Sequence, residues 1–180
     1  MLLPRIVVVR HPREKRSKCS LLPLEGREGM SFHRGKPGFS FDGGGFVLLA
    51  PGAPVVSTAD AFMGPDEAAA FEAGGRGEFL ARDDQGRILR PVLLLDSVWR
   101  LLPGLRTLIT GLPLERSLPL SMVTAYPRVS KMTEDPLCGL ASVEALYGAM
   151  RLMGFDCPEL LDGYRWRAPF MAQFQGRQGM

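Results

Sequence analysis

The residues best suited to chemistry in this sequence stand where short apolar runs end. His11 follows the run of residues 6–9, and Asp96 and Trp99 follow the most apolar run of the chain, residues 91–95. An imidazole or a carboxylate can exchange a proton, and an indole face attracts a cation. If these runs are strands of an open α/β sheet, the side chains lie at carboxyl ends, where such sheets bind ligands. The placement predicts a ligand site at these ends.

Each of these residues also has an ordinary structural explanation, and the residue pattern leaves both open. Asp96 is well placed to cap the N-terminus of a following helix by accepting hydrogen bonds from free backbone amides. Trp99 would by default belong to the core, and His11 would be a strand-end residue with a local hydrogen bond. No Ser–His–Asp or Cys–His arrangement indicates acyl transfer. The glycine run at residues 43–45 lacks the lysine of a phosphate-binding loop.

The elements that must position these residues follow from the apolar pattern. The runs at 6–9 and 46–50 predict buried strands, and the run at 91–95 predicts a central strand of a parallel sheet, buried on both faces. Apolar residues spaced by three and four predict a helix over residues 140–153 that ends at Gly154. We expect three further helices: one from Asp66 to Gly74, one that begins at Asp96, and one over residues 166–174. We also expect a strand over residues 118–125. The alternation predicts a single α/β domain over residues 1–180.

Composition excludes several classes of protein. The chain has 180 residues, 46% of them hydrophobic and 23% charged, as in an ordinary globular domain. No run approaches the roughly 18 apolar residues of a membrane span, and the N-terminus lacks the order of a signal peptide. We therefore expect a cytoplasmic protein without a membrane partner. Three widely spaced cysteines without a CxxC pair predict neither a disulfide framework nor a metal site.

The net charge of +3 is unevenly distributed. Before residue 20 the single acid Glu14 stands among six basic residues. Such a segment can contact phosphates and steer RNA toward a site, although a solvated loop is the simpler explanation of a charge run. The residues that we expect to contact RNA are Arg10, Arg13, Lys15, Arg16 and Lys18.

Short segments between about residue 6 and residue 175 match the motifs of one known family in order and spacing. They are His11-Pro-Arg-Glu, Leu48-Leu-Ala-Pro51, Leu95-Asp-Ser-Val-Trp99, Glu115-Arg-Ser-Leu-Pro119, Leu140-Ala-Ser-Val-Glu-Ala145 and Tyr164-Arg-Trp166. The set resembles the RNA aminocarboxypropyltransferases of the ribosome-maturation type, with motifs such as Val-Asp-Cys-Ser-Trp and Leu-Ser-x-Val-Glu-Ala. The DTW-domain tRNA enzymes are a more distant match.

The resemblance implies a SPOUT-like α/β fold, with a mostly parallel sheet, flanking helices and a C-terminal trefoil knot. It implies S-adenosylmethionine (SAM) as cofactor and transfer of its 3-amino-3-carboxypropyl (acp) group to N3 of a uridine or pseudouridine in rRNA or tRNA. Separately from the resemblance, we expect a monomer. The sulfonium activates all three attached carbons, so the pocket decides which one reacts. Two alternatives stay open: a SAM-dependent RNA methyltransferase, and a non-catalytic RNA-binding or ribosome-assembly factor.

The resemblance also implies a set of cofactor-binding residues. They are Ser17, Leu49, Pro51, Leu95, Trp99, Met122, Ala141 and Ser142. Leu49 and Pro51 would line the adenine pocket, the carbonyl of Leu95 would hold the ribose hydroxyls, and Trp99 would pack near the sulfonium.

The remaining implied roles concern the reacting end of the cofactor. Ser17 and the helix start at Ala141 and Ser142 would take the methionine carboxylate, because a helix N-terminus offers free amides to an anion. Asp96 would accept the proton from uridine N3, with a positioning or capping role equally open.

Overall fold

The computed structural model describes residues 3–16, 19–127 and 139–175. Its strands are, in chain order, β1 Ile6–Arg10, β2 Met30–Arg34, β3 Phe41–Asp42, β4 Val47–Leu49, β5 Phe62–Met63, β6 Ala81–Arg82, β7 Ile88–Leu89, β8 Val92–Asp96, β9 Ile109–Thr110 and β10 Leu114–Arg116. Its α-helices are α1 Pro65–Phe71, α2 Leu102–Arg106, α3 Ser142–Leu152 and α4 Arg167–Gln175. Short 3-10 turns and one π turn, Glu72–Arg76, join them.

Five strands form a parallel central sheet in the order β10-β4-β8-β1-β2. Strand β8 lies in the middle, and its residues Val92, Leu93 and Leu94 are buried. A central parallel strand is covered on both faces, which explains why this run is apolar without alternation. The predicted central strand is therefore confirmed. The short strands β5, β7 and β6 form a separate antiparallel sheet.

The two faces of the central sheet are covered by different helices. On one face, Val8 and Leu94 belong to the same buried cluster as Leu146 of α3 and Phe170 of α4. On the other face, a second cluster joins the strands to α1 and α2; it contains Val7, Leu93, Phe71 and Leu105. Successive residues of a strand point to opposite faces, so the three inner strands β1, β4 and β8 each contribute to both clusters. The predicted α/β class with a mostly parallel sheet is confirmed, while the SPOUT class and the knot stay predictions.

Helix α3 forms where the apolar spacing predicts it. Val143, Leu146, Tyr147 and Met150 are buried against the sheet. The helix ends before Gly154, whose φ of +94° is a left-handed conformation that glycine adopts without a steric penalty.

Two predicted elements are wrong. No helix begins at Asp96, because this residue ends β8 and the next 3-10 turn starts at Trp99 after Val98. Asp96 therefore does not cap the following helix. Residues 118–125 form no strand; a turn closed by the Met122 amide on the Pro119 carbonyl (3.0 Å) interrupts them.

The apolar pattern missed both edge strands of the central sheet, β2 and β10, as well as two-residue strands outside that sheet. Residues 30–33 of β2 and all of β10 are only partly buried, because these strands lie at the two edges of the central sheet. An edge strand needs no continuous apolar run, so the sequence gives no such signal there. Among the described residues, no helix is long and apolar enough to cross a membrane.

Candidate ligand-binding site

The central sheet opens between β4 and β8 at their carboxyl ends. Strand β8 stays in register with β1 up to the pair Arg10–Asp96, whereas its pairs with β4 stop at Leu48–Leu93. The chain leaves β1 toward β2 on one side and leaves β8 toward β10 on the other. A reversal of this kind creates a crevice at the carboxyl ends of parallel strands, which is where α/β sheets bind ligands.

A cavity of about 400 Å³ lies at this opening, which we call the ligand cavity. Its walls come from the segments after β4, β8 and β10 and from the start of α3. They comprise Leu49, Ala50, Pro51, Gly52, Ala53, Val55, Leu94, Leu95, Ser97, Trp99, Leu102, Arg116, Ser117, Leu118, Pro119, Leu120, Met122, Leu140, Ser142 and Ala145. The volume and the mainly apolar walls are typical of a small-molecule or cofactor site.

Most of the residues that the resemblance assigned to the cofactor lie around this cavity. Leu49, Pro51, Leu95, Trp99, Met122 and Ser142 line it. Ala141 does not line it but directly precedes Ser142 and forms the N-cap of α3. Ser17 lies outside the described residues.

The start of α3 is held by hydrogen bonds from within the chain. The amide of Ala141 donates to Oε2 of Glu144 (2.8 Å), and the amide of Val143 donates to Oγ of Ser20 (3.2 Å). The hydroxyl of Ser142 donates to Oδ1 of Asp96 (2.7 Å). The Ala141 amide is thus occupied, contrary to the expectation that it receives a carboxylate.

Asp96 is the centre of a buried polar cluster. Its Oδ2 accepts hydrogen bonds from Nε of Arg10 (2.7 Å) and from the thiol of Cys19 (3.1 Å), and its Oδ1 accepts from Ser142. Burial first, and then the negative charge of Asp96, raise the pKa of Cys19 to about 12, so the thiol keeps the proton that it donates. The carboxylate therefore fastens β1, β8 and α3 to one another.

Arg10 belongs to this cluster and not to an exposed basic surface. Burial opposes its charge, but hydrogen bonds to Glu25 and Asp96 outweigh that effect and place the pKa of Arg10 above its ordinary value. The prediction that Arg10 contacts RNA disagrees with this geometry, because its guanidinium is turned inward. Arg16 is exposed and pairs with Glu25, and Lys18 lies outside the described residues. Arg13 and Lys15 are exposed beside them.

Glu14 is a half-buried carboxylate in the turn that follows β1. The amide of Glu14 donates to the His11 carbonyl (3.0 Å), and the His11 amide donates to the Asp96 carbonyl (3.0 Å). Burial, and then the negative charge of Asp96, raise the pKa of Glu14. Its side chain makes no hydrogen bond or ion pair with the described residues. In the sequence, Glu14 is the single acid of a basic run and the last residue of the segment His11-Pro-Arg-Glu.

Glu144 is a buried residue that the residue pattern gave no reason to single out. Its two oxygens accept from the Thr124 hydroxyl (2.6 Å), the Ala125 amide (2.9 Å), the Ala141 amide (2.8 Å) and the Tyr164 hydroxyl (3.0 Å). One feature of the sequence could have identified Glu144: it stands three residues after the N-cap, where a glutamate can accept a hydrogen bond from the cap amide. The carboxylate joins the segment that follows the cavity-lining Met122 to α3 and to the C-terminal segment.

The comparisons with known proteins concern the fold. The chain superimposes on the SAM-dependent rRNA:acp-transferase Tsr3 from Vulcanisaeta distributa with a TM-score of 0.63, over 97% of this chain and 80% of that chain. The two chains share a fold. Their sequences are 20% identical, so the likeness shows the architecture and not the residues of the site. No family model matches this sequence, and no curated protein matches it.

Proposed function

We propose that this chain is an RNA aminocarboxypropyltransferase that uses SAM to modify N3 of a uridine or pseudouridine in rRNA or tRNA. The observation that carries the proposal is the convergence on one cavity of residues from four separate stretches of the sequence: Leu49, Leu95 with Trp99, Met122 and Ser142. The resemblance had assigned each of them to the cofactor. The shared fold with a protein described as a SAM-dependent rRNA:acp-transferase supports the same reading.

The ligand cavity suits a nucleoside with a charged tail. Leu49 and Pro51 offer apolar surface to an adenine ring, and the carbonyl of Leu95 lies at the strand end where ribose hydroxyls would bind. Trp99 is half-buried in the wall, and its aromatic face favours a cation such as a sulfonium. When bound, SAM would supply the γ-carbon of its methionine part to N3 of the base, with 5′-methylthioadenosine as the leaving group and the N3 proton released to water.

We propose that Asp96 positions the site and does not accept the N3 proton. Three side-chain donors already occupy its oxygens, and one of them is the guanidinium of Arg10. Taking up a proton would remove the negative charge that pairs with Arg10 and so weaken this arrangement. Through Ser142, the carboxylate instead fixes the start of α3, where the reacting end of the cofactor would lie.

The exposed cations near the end of β1 support an RNA substrate. Arg13 and Lys15 lie in the turn after β1, which neighbours β8 and the ligand cavity. Arg100 is exposed just after Trp99. These side chains offer positive charge beside the cavity, which a phosphate backbone would neutralise.

The test uses two SAM samples, one labelled in the methyl group and one in the carboxyl carbon. Each is incubated with the protein and total RNA from cells that lack it, and rRNA and tRNA are then separated. We expect carboxyl label without methyl label in one RNA fraction. Methyl label would make the protein a methyltransferase. Neither label, without SAM binding, would favour a non-catalytic RNA-binding factor, and neither label with tight SAM binding would indicate that the substrate RNA is absent from the sample.

A further inference from the structure

The polar side chains that line the ligand cavity differ in whether their polar atoms have hydrogen-bond partners within the protein. Arg116 donates from Nε to Oδ1 of Asp60 (2.9 Å), and the Ser117 hydroxyl donates to the Ala53 carbonyl (2.6 Å). The Ser142 hydroxyl is held by Asp96. These three groups serve to build the wall.

Ser97 is the exception among the hydroxyl and charged side chains that line the cavity. Its Oγ is buried and has no hydrogen-bond partner among the described residues. A buried hydroxyl without a partner destabilises a protein, so such groups are rare and call for an explanation. Rotation about the Cα–Cβ bond between staggered positions would bring this hydroxyl to the cavity.

The position of Ser97 indicates which part of a ligand it would meet. It stands between Leu95 and Trp99, where the sheet opens between β4 and β8. Ser142, at the start of α3, also lines the cavity, but its hydroxyl is already bound to Asp96. The buried position of the Ser97 hydroxyl in the wall also favours a cofactor held deep in the cavity over an RNA base arriving from outside.

We propose that Ser97 binds the nucleoside half of the cofactor by a hydrogen bond from its side chain. A serine hydroxyl both donates and accepts, so it can pair with a ribose hydroxyl or with a nitrogen of the base. This inference rests on the proposed function, because it takes SAM as the occupant of the cavity. It adds a side-chain contact to a site whose other walls are mainly apolar.

The experiment measures binding by calorimetry with SAM, S-adenosylhomocysteine and 5′-methylthioadenosine, which lacks the methionine part. We compare the wild-type chain with Ser97→Ala and with Ser31→Ala. Ser31 is the matched control because its Oγ is also buried without a partner, but on the edge strand β2, away from the cavity. The unliganded variants are expected to be as stable as wild type or slightly more stable, since each loses an unpaired hydroxyl.

Ser97→Ala is expected to weaken binding of all three ligands by about three- to tenfold, the value of one hydrogen bond, while Ser31→Ala leaves their affinities unchanged. Unchanged affinities in Ser97→Ala overturn the Ser97 assignment alone. Weaker binding of SAM and S-adenosylhomocysteine with unchanged 5′-methylthioadenosine binding also overturns it, because the hydroxyl would then meet the methionine half. A wild-type chain that binds none of the ligands overturns the proposed function and this assignment together.

Discussion

At the carboxyl end of β8, the Asp96 carboxylate receives three hydrogen bonds and leaves no oxygen without a donor. A catalytic base needs a lone pair directed at the proton that it removes. The charged partner Arg10 and the hydroxyl of Ser142 make Asp96 better suited to hold two elements in place. This distinction between a positioning residue and a base can be measured.

Asp96→Asn is expected to lower the free energy of unfolding by about 1–3 kcal/mol, because Arg10 loses one of its two charged partners and the side-chain amide group places a new donor next to groups that already donate. SAM binding should weaken at the same time, since Ser142 loses its fixed acceptor. Urea denaturation and calorimetry measure the two effects, with exposed Asp84→Asn as the control. Full stability and full SAM affinity with transfer abolished would instead identify Asp96 as the proton acceptor.

Trp99 is the residue whose side chain contributes the largest apolar surface at the end of β8. Trp99→Ala is expected to weaken SAM binding about tenfold or more, because both packing and the attraction of the indole face for a cation are lost. Trp166→Ala removes the other tryptophan, which packs on Tyr126 at 4.7 Å outside the cavity, and should affect stability more than affinity. Unchanged SAM affinity in a folded Trp99→Ala protein would place the cofactor elsewhere.

Glu14 should make the stability of the protein depend on pH. Burial and Asp96 raise its pKa in the folded state, so the folded chain binds more protons than the unfolded chain between the two values. Stability attributable to Glu14 therefore falls as the pH rises through that window.

The substitution Glu14→Gln removes this loss of stability at higher pH, because glutamine does not titrate. The variant is expected to have a higher Tm than wild type at about pH 7 and a similar Tm at about pH 3, where Glu14 is protonated in both states. Scanning calorimetry at both values tests this, with exposed Glu78→Gln as the control. An equal or lower Tm at the higher pH would show that Glu14 has a favourable partner.

Among the elements, α3 depends most on contacts outside itself. Its first turn is tied to the cavity wall and to the C-terminal segment through Glu144, and to β8 through Ser142. Tertiary packing, more than helix propensity, stabilises most helices of this length in proteins. The ligand site at the start of α3 therefore inherits its geometry from a buried carboxylate.

Glu144→Gln is expected to cost about 1–3 kcal/mol of stability, because four donors point at a side chain that would keep one acceptor oxygen. Hydrogen exchange should speed up at the amides of Ala125 and Ala141. The amide of Val143, bound to Ser20, serves as the internal reference. Exchange unchanged at all three amides would show that other contacts hold the helix start.

At the scale of the whole molecule, exposed cations lie near both ends of the central sheet. Exposed Arg13 and Lys15 lie at the carboxyl edge with the ligand cavity. The hairpin of β6 and β7 carries exposed Arg82 and Arg87, and β7 leads into the opposite end of β8. Replacing either pair of cations with neutral residues changes the net charge by the same amount, so the two double variants can be compared directly.

The double variant Arg13→Gln/Lys15→Gln is expected to weaken RNA binding and to reduce the slope of log K against log salt by about 1.5, as for two lost phosphate contacts. The variant Arg82→Gln/Arg87→Gln should leave the slope unchanged. Fluorescence anisotropy over a salt series measures both. Equal slopes in the two variants would mean that RNA does not approach along the carboxyl edge.

Local pattern in the sequence determined the elements whose burial is continuous or periodic. The run at 91–95 could only be a covered central strand, and the spacing within residues 140–153 could only keep one face buried as a helix. The edge strand β2 and the irregular segment 118–125 were not predicted correctly, because partly buried residues show no hydrophobic periodicity. The motif resemblance further pointed to the residues around the cavity, although not to their contacts.

Only the tertiary structure decided what the polar residues do. Asp96 meets Arg10, Cys19 and Ser142 across separations of 86, 77 and 46 residues, and the role suggested by its neighbours in sequence, a helix cap, is absent. The order of the strands in the sheet determines which of these distant residues come into contact, and hydrophobic periodicity carries no information about that order. The same holds for the unpaired hydroxyl of Ser97 and the four donors around Glu144, because the satisfaction of a buried polar group depends on residues distant in the chain.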